Sequence, residues 1–224
     1  MSNLKNAFLL ISLSIGIASC SNFPVNNIAP GYQEAFKTIS NYIFDNEESI
    51  ITRELIEGIP YASSSLKIGK GPTGLIILES KLGNKYTWVS ADGVYLVIEN
   101  GRVIQTAGLG NNLINLEDSF KKKNFLESFS EEQIYKYYQS YDKPSLNNLE
   151  LEVTLKKEGN EFVNILGVER ELTIISESKV NNYLGWKVKN LYWIDKNLFV
   201  WKSVQHLSPK LPKIVIEVTK KPSI

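Results

Sequence analysis

The chain has 224 residues, which is enough for one large domain or two small ones. Lys and Arg number 25 against 24 Asp and Glu, so the formal net charge is +1. This balance argues against a broad electrostatic footprint for nucleic acid, and the hydrophobic fraction of 43% argues against disorder of the whole chain.

Residues 1–19 are typical of a bacterial export signal. Lys5 gives a small positive charge, and the apolar run Ala7–Ile17 follows it. That run is too short to span a bilayer comfortably, because a spanning helix needs about 20 apolar residues. Cys20 comes directly after the signal and is the only cysteine of the chain, so it has no disulfide partner. The sequence Ile17-Ala18-Ser19-Cys20 resembles the lipobox of bacterial lipoproteins.

The lipobox resemblance implies that the signal is cleaved before Cys20 and that the cysteine thiol carries a diacylglyceryl group. With the new α-amine also acylated, two or three chains give a stable anchor, since each buried methylene adds about 0.8 kcal/mol. Ser21 stands where an aspartate would resemble the inner-membrane retention signal. We therefore predict a lipoprotein of the outer membrane, anchored on the periplasmic side. An ordinary export signal with an incidental cysteine is the alternative.

The chain after the signal divides into a tether and one domain. Residues 20–31 hold Asn, Pro and Ser with little apolar pattern, which is typical of a flexible tether. Residues 32–224 are predicted to form a β-rich domain. We predict that it begins with a helix from Tyr32 to Phe44, because aromatic and aliphatic residues recur there at helical spacing.

Short segments rich in β-branched and aromatic residues predict two blocks of strands. The first block comprises Tyr61–Ile68, Gly74–Glu79, Lys85–Ala91, Val94–Glu99 and Arg102–Thr106. Leu82-Gly83-Asn84, Asp92-Gly93 and Asn100-Gly101 separate strands in this block. We assign the last two to type I′ turns, which need two central residues with positive φ. The second block comprises Leu149–Lys156, Glu161–Ile165, Arg170–Ser178, Gly185–Ile194, Leu198–His206 and Lys213–Thr219.

The segment Leu113–Gln139, between the two blocks, is charged and lacks Gly and Pro. Ser130-Glu131-Glu132-Gln133 fits a capping box, so we predict one or two short helices or a long connection here. Many short strands and few helices favour a mainly β fold. We predict an antiparallel barrel-like or sandwich domain with an N-terminal helix and a short helical insertion.

Motifs for cofactors and catalysis are incomplete in this sequence. Residues Gly69–Gly74 fit the letters of a dinucleotide-binding loop, but a predicted strand follows them instead of the helix that phosphate binding needs. The only histidine, His206, lies in no nucleophile motif, and one histidine with a lipidated cysteine argues against zinc. We expect no cofactor, no metal and no enzymatic activity, although a carboxylate pair acting on glycosides is a spatial arrangement that sequence does not reveal.

Four tryptophans, Trp88, Trp186, Trp193 and Trp201, fall in predicted strands. Such rings either pack in a core or stack against the C–H faces of sugars. On the predicted strand Leu198–His206, alternation places Trp201, Ser203 and Gln205 on one face. An aromatic ring beside a hydroxyl and an exposed amide would suit a polyhydroxylated ligand.

The β-rich part carries a series of motifs in a fixed order. They are Ile59–Ser63, Gly71-Pro72, Trp88–Gly93, Asn100–Leu109, Tyr192–Asp195 and Val200–Gln205, with Pro209 shortly after. This series runs from about Arg53 to the C-terminus and resembles the YjbF-type lipoproteins, also called the group 4 capsule polysaccharide lipoprotein family. The resemblance implies a barrel-like domain and a role in the production and export of exopolysaccharide or capsule. It brings no reaction and no catalytic site.

The residues that match these motifs and could bind a ligand are Trp88, Asp92, Arg102, Trp201, Ser203 and Gln205. They and Thr106 could equally define the fold, and Gly108 is expected at a backbone position closed to other residues. Our hypothesis is a non-catalytic accessory lipoprotein that binds polysaccharide or proteins of the export machinery. The alternatives are a structural adaptor without glycan binding and a polysaccharide-modifying enzyme.

Overall fold

The structure is a computed structural model that describes residues 51–120, 124–130 and 133–222. The predicted signal, tether and helix Tyr32–Phe44 lie outside these ranges. Helix α1 (Arg53–Gly58) opens the described part of the chain. The hydroxyl of Thr52 caps it by accepting a hydrogen bond of 3.3 Å from the backbone N–H of Leu55.

Strands make up most of the described residues. They are β1 (Ser63–Ile68), β2 (Thr73–Leu82), β3 (Lys85–Ser90), β4 (Tyr95–Glu99), β5 (Arg102–Ala107), β6 (Leu113–Asp118), β7 (Tyr135–Asp142), β8 (Ser145–Ile165), β9 (Val168–Asn181), β10 (Trp186–Ile194), β11 (Val200–Gln205) and β12 (Ile214–Lys220). They form one antiparallel sheet in the order β5-β4-β3-β2-β1-β12-β11-β10-β9-β8-β7-β6. The end strands β5 and β6 lie against each other, so the sheet is a nearly closed barrel. The predicted mainly β, barrel-like fold is confirmed.

The hairpin turns follow the chemistry of their residues, with one correction. Asn100 and Gly101 both have positive φ, of 49° and 83°, which confirms the type I′ turn between β4 and β5. Of Asp92 and Gly93, only the glycine has a positive φ, so the predicted type I′ turn is wrong at this position. The backbone N–H of Ser90 there donates to the carbonyl of Val94, which encloses a longer loop.

The segment between the two predicted strand blocks begins and ends in strands, so the prediction of short helices or a long connection holds only in its middle. Its ends form β6 and β7, and within the described residues between them one short 3-10 helix, Phe125–Ser128, is present. Tyr135, Tyr137, Gln139 and Tyr141 are buried at strand spacing on β7, whereas the residues between them are more exposed. The alternation of tyrosines outweighs the charged composition that suggested a helix.

Alternation on the strands divides the apolar residues between the barrel interior and an outer layer. On β2, Ile76 packs in the interior, whereas Ile77 packs against helix α1 on the outside. The interior is filled by Leu66, Trp88, Leu96, Val103, Ile214, Tyr137, Leu151, Val153, Ile175 and Tyr192, among others. Helix α1 therefore seals the outer face of the first strands.

Strands β8 and β9 form a long hairpin whose far end lies on the outside of the barrel. The pairing shifts between Lys157 and Gly159, so one extra residue changes which face the following side chains occupy. Val163 and Ile165, beyond the shift, pack with Trp193 in an outer cluster. Two predicted strands, Leu149–Lys156 and Glu161–Ile165, are thus one bulged strand. Among the described residues, we find no helix with the length and apolar character that a membrane span requires.

A cavity with an aromatic and amide lining

A cavity of about 410 Å³ lies between the first strands, the last two strands and the β10–β11 turn. Its uncharged polar and aromatic lining residues fall into three groups. The aromatic ones are Tyr86, Trp88 and Phe199, the amides are Asn84, Asn100, Asn124 and Asn197, and the hydroxyls are Ser64 and Ser203. Aliphatic residues such as Ile98, Val200 and Ile216 complete the wall. This mixture of ring faces and amide groups is the property of the cavity that bears on function.

Local sequence explains how the aromatic rings reach the cavity. Tyr86 and Trp88 are two residues apart on β3, so both face the interior. Phe199 lies in the turn before β11, which the carboxylate of Asp195 holds in place. That carboxylate accepts hydrogen bonds from the backbone N–H groups of Asn197 and Phe199, at 2.8 and 3.1 Å. Its second oxygen accepts from the indole N–H of Trp201 at 3.1 Å.

Ser64 places an unpaired hydroxyl in the cavity wall. The pairing of β1 with β12 shifts between Ser63 and Ser64, and Ser64 is only 1% exposed. Its Oγ has no hydrogen-bond partner among the described residues, whereas the neighbouring Ser63 hydroxyl shares a hydrogen bond of 2.8 Å with Thr219. Buried hydroxyls in folded proteins are normally paired, so Ser64 has capacity to bond a ligand or water.

Lysines are the only charged residues in the described lining of the cavity. Lys202 Nζ is 3.7 Å from a carboxylate oxygen of Glu217 and 5.4 Å from the ring centroid of Trp193. Lys221 is exposed, and its Nζ lies 4.2 Å from the ring centroid of Phe199. None of the ion pairs between described residues includes Lys221. The mouth of the cavity is therefore electropositive.

A buried polar cluster occupies another part of the interior. Arg102 lies 2.7 Å from Asp118 and 3.1 Å from Glu177, and its guanidinium stacks over Phe125 at 3.4 Å from the ring centroid. Glu177 also accepts hydrogen bonds from the hydroxyls of Tyr137 and Tyr192 and from the side-chain amide of Asn190. Five strands, β5, β6, β7, β9 and β10, contribute to these contacts. The cluster thus ties distant parts of the barrel together.

The ionisation of this cluster is set by its own charges. Burial alone would raise the pKa of Glu177, but the charges of Arg102 and Lys179 and its hydrogen bonds hold that pKa below the ordinary value. Burial lowers the pKa of Lys179 to about 8, although Glu177 opposes the shift. The ammonium of Lys179 donates to the backbone carbonyl of His206 at 2.6 Å. Because both carboxylate oxygens of Glu177 are engaged, we assign the cluster a role in stabilising the barrel.

The predicted ligand-binding residues are divided between the cavity and other places. Trp88 and Ser203 line the cavity. Arg102 belongs to the buried cluster, and Thr106, on the same strand β5, accepts a hydrogen bond of 2.9 Å from the N–H of Leu113 on β6. Asp92 lies in the exposed β3–β4 loop, where its carboxylate accepts a hydrogen bond from Ser90. Arg102, Thr106 and Asp92 therefore have structural contacts that account for their presence.

The prediction that Trp201, Ser203 and Gln205 share one face is wrong. The pairing of β10 with β11 shifts so that Ile194 pairs with Val200 and Trp193 with Lys202, which makes Trp201 the extra residue of a bulge. Trp201 packs outside the barrel, where the guanidinium of Arg170 lies 3.7 Å from its ring centroid. Ser203 and Gln205 remain inside.

Gln205 is also buried rather than exposed, at 1% relative exposure. Its amide N–H groups donate to the carbonyl of Gly101 and the hydroxyl of Ser203, each at 2.9 Å, and its oxygen accepts from the N–H of Val103. The ring of Trp193 belongs to the outer cluster, with its N–H donating to Glu161, and Trp186 packs beside the β7–β8 core. Of the four tryptophans, only Trp88 lines the cavity.

Sequence reasoning missed several cavity residues. Tyr86 had a signal, because it stands two residues before Trp88 on the same strand and so shares its face. Ser64, Asn84 and Phe199 had no such signal in the sequence. They reach the cavity only through a bulge, a turn and the closure of the barrel. The glycine-rich stretch Gly69–Gly74 forms the turn between β1 and β2, as predicted.

Two observations bear on the expectation of no nucleophile motif and no metal site. The ring of His206 approaches the amide oxygen of Asn190, at 3.3 Å, and an amide cannot serve as an acid or base partner. No group of three or more His, Cys, Asp or Glu able to hold a metal occurs in the described part of the chain. The cavity lining, within the same ranges, includes no carboxylate.

The fold and the cavity define a class of protein: an antiparallel twelve-stranded barrel, nearly closed, with one electropositive cavity inside the described part. The sequence identifies the family within that class. Residues 36–219 match the family described as "Group 4 capsule polysaccharide lipoprotein gfcB, YjbF", and the chain belongs to it. The resemblance that the motifs indicated is thus confirmed.

Relatives from Escherichia coli K12 agree with this assignment. The chain is 29% identical to the uncharacterized lipoprotein GfcB over 87 residues, which cover 39% of the chain and 41% of GfcB. It is 24% identical to the uncharacterized lipoprotein YjbF over 164 residues, covering 70% of the chain and 74% of YjbF. A crystal structure of the hypothetical lipoprotein YmcC superposes with a TM-score of 0.68 at 21% identity, over 85% of this chain and 96% of YmcC, and shows the same fold.

Proposed function

We propose that this protein is a non-catalytic accessory factor in capsule or exopolysaccharide production and export, and that it binds a segment of glycan in the cavity. The observation that carries the proposal is the combination of three aromatic residues and four asparagines in the lining of one cavity. The volume of about 410 Å³ is within the range of small-molecule sites, which is roughly 300–1,000 Å³.

The physical argument concerns the two kinds of surface that a sugar presents. The C–H groups on the face of a pyranose ring are apolar and pack against aromatic rings such as Tyr86, Trp88 and Phe199. The hydroxyls around its edge require donors and acceptors, and an amide side chain supplies both. Asn84 and Asn197 line the cavity, and we propose that their amides bond the sugar hydroxyls. Asn124 already accepts a hydrogen bond from the N–H of Leu126.

The family supports the pathway, and the lipobox supports the location. The family description names capsule polysaccharide and lipoprotein, and both curated relatives are named lipoproteins. We propose that Cys20 carries the lipid and anchors the barrel to the periplasmic side of the outer membrane. At that position the cavity would meet polysaccharide as it passes to export proteins, which are the partners we expect.

Calorimetric titration tests the glycan site. The full chain, purified in a detergent without a sugar head group, would be titrated with fragments of the capsule or exopolysaccharide from the strain that encodes it. We expect binding by the wild type and about 2- to 10-fold weaker binding by Tyr86→Ala, because an aromatic contact contributes about 0.5–1.5 kcal/mol. Tyr183→Ala is the matched control, since Tyr183 is 93% exposed and outside the cavity.

Melting curves of both variants accompany the titration, because Tyr86 also packs against the core. Weaker binding by Tyr86→Ala with folded protein supports the proposal. Absence of binding by the folded wild type would overturn it and favour a structural adaptor. Shortening of the fragments during the titration would instead favour an enzyme.

A further inference from the structure

We infer that the cavity recognises an acidic saccharide, a glycan whose ring bears a carboxylate, with Lys221 facing the carboxylate and Ser64 bonding a sugar hydroxyl. This inference rests on the glycan function proposed above and specifies its substrate class. Charge, the position of Lys221 and the unpaired hydroxyl of Ser64 support it independently.

Charge complementarity is the first support. The described lining has two lysines and no carboxylate. Glu217 lies 3.7 Å from Lys202, whereas none of the ion pairs between described residues includes Lys221. Asp195 accepts hydrogen bonds from neutral N–H groups and so keeps its charge, but it does not line the cavity. An anionic ligand would be favoured over a neutral one of the same shape.

The position of Lys221 is the second support. Lys220, the last residue of β12, donates to the carbonyl of Ile59 and is occupied by that contact. The ammonium of Lys221 instead lies over Phe199, 4.2 Å from its centroid, and 5.9 Å from the centroid of Trp201. Cation–π attraction holds an ammonium in such a place without neutralising its charge. A carboxylate on a sugar ring stacked against Phe199 would meet this ammonium.

Ser64 is the third support, and it also distinguishes a saccharide from a lipid. Its buried Oγ lacks a partner among the described residues, and asparagine amides share the same lining. An acyl chain in the cavity would leave these groups unpaired, which costs free energy, whereas sugar hydroxyls would pair with them. The head group of an anionic lipid would pair with Lys221, but its acyl chain would leave the hydroxyl and amide groups of the cavity wall unpaired.

Matched ligands separate this inference from the glycan proposal itself. Charged oligosaccharides would be isolated by anion exchange from the polysaccharide of the encoding strain, and one portion would have its carboxylates reduced to hydroxymethyl groups. The full chain, in the same detergent, would be titrated with both forms at low and high salt. We expect the native form to bind about 3- to 5-fold more tightly at low salt, because exposed ion pairs contribute up to about 1 kcal/mol.

Two variants and a control assign the effect to residues. Lys221→Gln should abolish the preference for the native form, so that it binds both forms with similar affinity. Lys187→Gln, at an exposed position on β10 outside the cavity, should keep the preference. Ser64→Ala should weaken the binding of both forms by a similar factor, about 2- to 10-fold, because it removes a neutral hydrogen bond.

Equal affinity of the wild type for both forms would overturn the acidic-saccharide inference and leave the glycan site standing. A polysaccharide that yields no charged fragment would overturn it as well, and so would a preference that persists in Lys221→Gln. Binding of neither form would overturn both proposals. Displacement of the bound fragment by equimolar oleate would show that the cavity is a lipid site.

Discussion

The side-chain oxygen of Gln205 on β11 accepts a hydrogen bond of 3.0 Å from the backbone N–H of Val103 on β5, across the barrel interior. The same amide donates to the carbonyl of Gly101, at 2.9 Å. Strand β5 is an end strand of the sheet, and although β6 lies beside it, no strand ladder joins the two. Gln205 supplies part of that missing pairing and fixes the β4–β5 hairpin to a strand six positions away in the sheet order.

Gln205→Ala is therefore expected to affect the stability of the protein more strongly than it affects ligand binding. The N–H of Val103 would remain buried without a partner, which costs about 1–3 kcal/mol. The melting temperature should fall by roughly 2–4 °C per kcal/mol at this chain length. Calorimetric melting of the full chain measures the effect, and Gln105→Ala, at an exposed glutamine on β5, is the matched control. Equal melting temperatures of the two variants would contradict the role assigned to Gln205.

A second prediction concerns Gly101, which the β4–β5 turn places against Val200. A Cβ added at Gly101 would lie 2.2 Å from a methyl carbon of Val200, whereas one added at Gly93 would have nothing within 4 Å. Both glycines have a φ of 83°, so the backbone strain of an alanine is the same at each. Gly101→Ala should be less stable than Gly93→Ala by about 1–3 kcal/mol, the usual cost of overpacking. Urea unfolding of both variants measures this difference in stability. Similar midpoints would show that the turn can move away from Val200.

The turns and strands of this fold that depend on local residue type are predictable from sequence, whereas the closure of the barrel is not. Glycine and asparagine identify the Asn100-Gly101 turn because positive φ depends on residue type. Gly108 was likewise expected at a closed position, and a Cβ there would lie 2.4 Å from the carbonyl oxygen of Gly93. By contrast, the alternation of buried residues on β7 was missed because the charged composition of Leu113–Gln139 indicated helices or a connection.

The candidate site was predicted poorly for a related physical reason. A single bulge at Trp201 changes the face of one side chain, and strand parity counted along the sequence does not reveal such an extra residue. Ser64, Phe199 and Lys221 meet only because the two ends of the described chain pair as β1 and β12. Trp88 could be found because its motif and its strand position agree.

The anchor yields a prediction that does not depend on the barrel. Cys20→Ala should leave the protein as an unprocessed precursor in the membrane fraction, because the chain has no other thiol to accept the diacylglyceryl group. Mass spectrometry and metabolic labelling with palmitate of the wild type and the variant measure processing and lipid content. A variant that is still cut before residue 20 would show that an ordinary signal peptidase acts here.

The last prediction concerns the pH dependence of stability that Glu177 confers through Arg102. The folded-state pKa of Glu177 is lowered from its ordinary value of 4.5. Burial raises this pKa, but the charges of Arg102 and Lys179, with its hydrogen bonds, lower it by more than burial raises it. The unfolded chain therefore takes up a proton at higher pH than the folded protein does. The stabilisation is fully present above about pH 4.5 and is lost as pH falls through the folded pKa.

Glu177→Gln removes this contribution and leaves Arg102 with Asp118 as its only carboxylate among the described residues. We expect a loss of about 3–5 kcal/mol at pH 7, as for breaking a buried ion pair, and a difference from wild type that narrows below pH 4.5. Urea unfolding between pH 3 and pH 7 measures both, with the exposed Glu169→Gln on β9 as control. A difference that stays constant down to pH 3 would mean that the pKa of Glu177 is the same in the folded and unfolded chain, and one that widens as pH falls toward 4.5 would mean that Glu177 is protonated in the folded barrel. Arg102 would then be neutralised by Asp118 alone, and the interior cluster would owe its stability to hydrogen bonds.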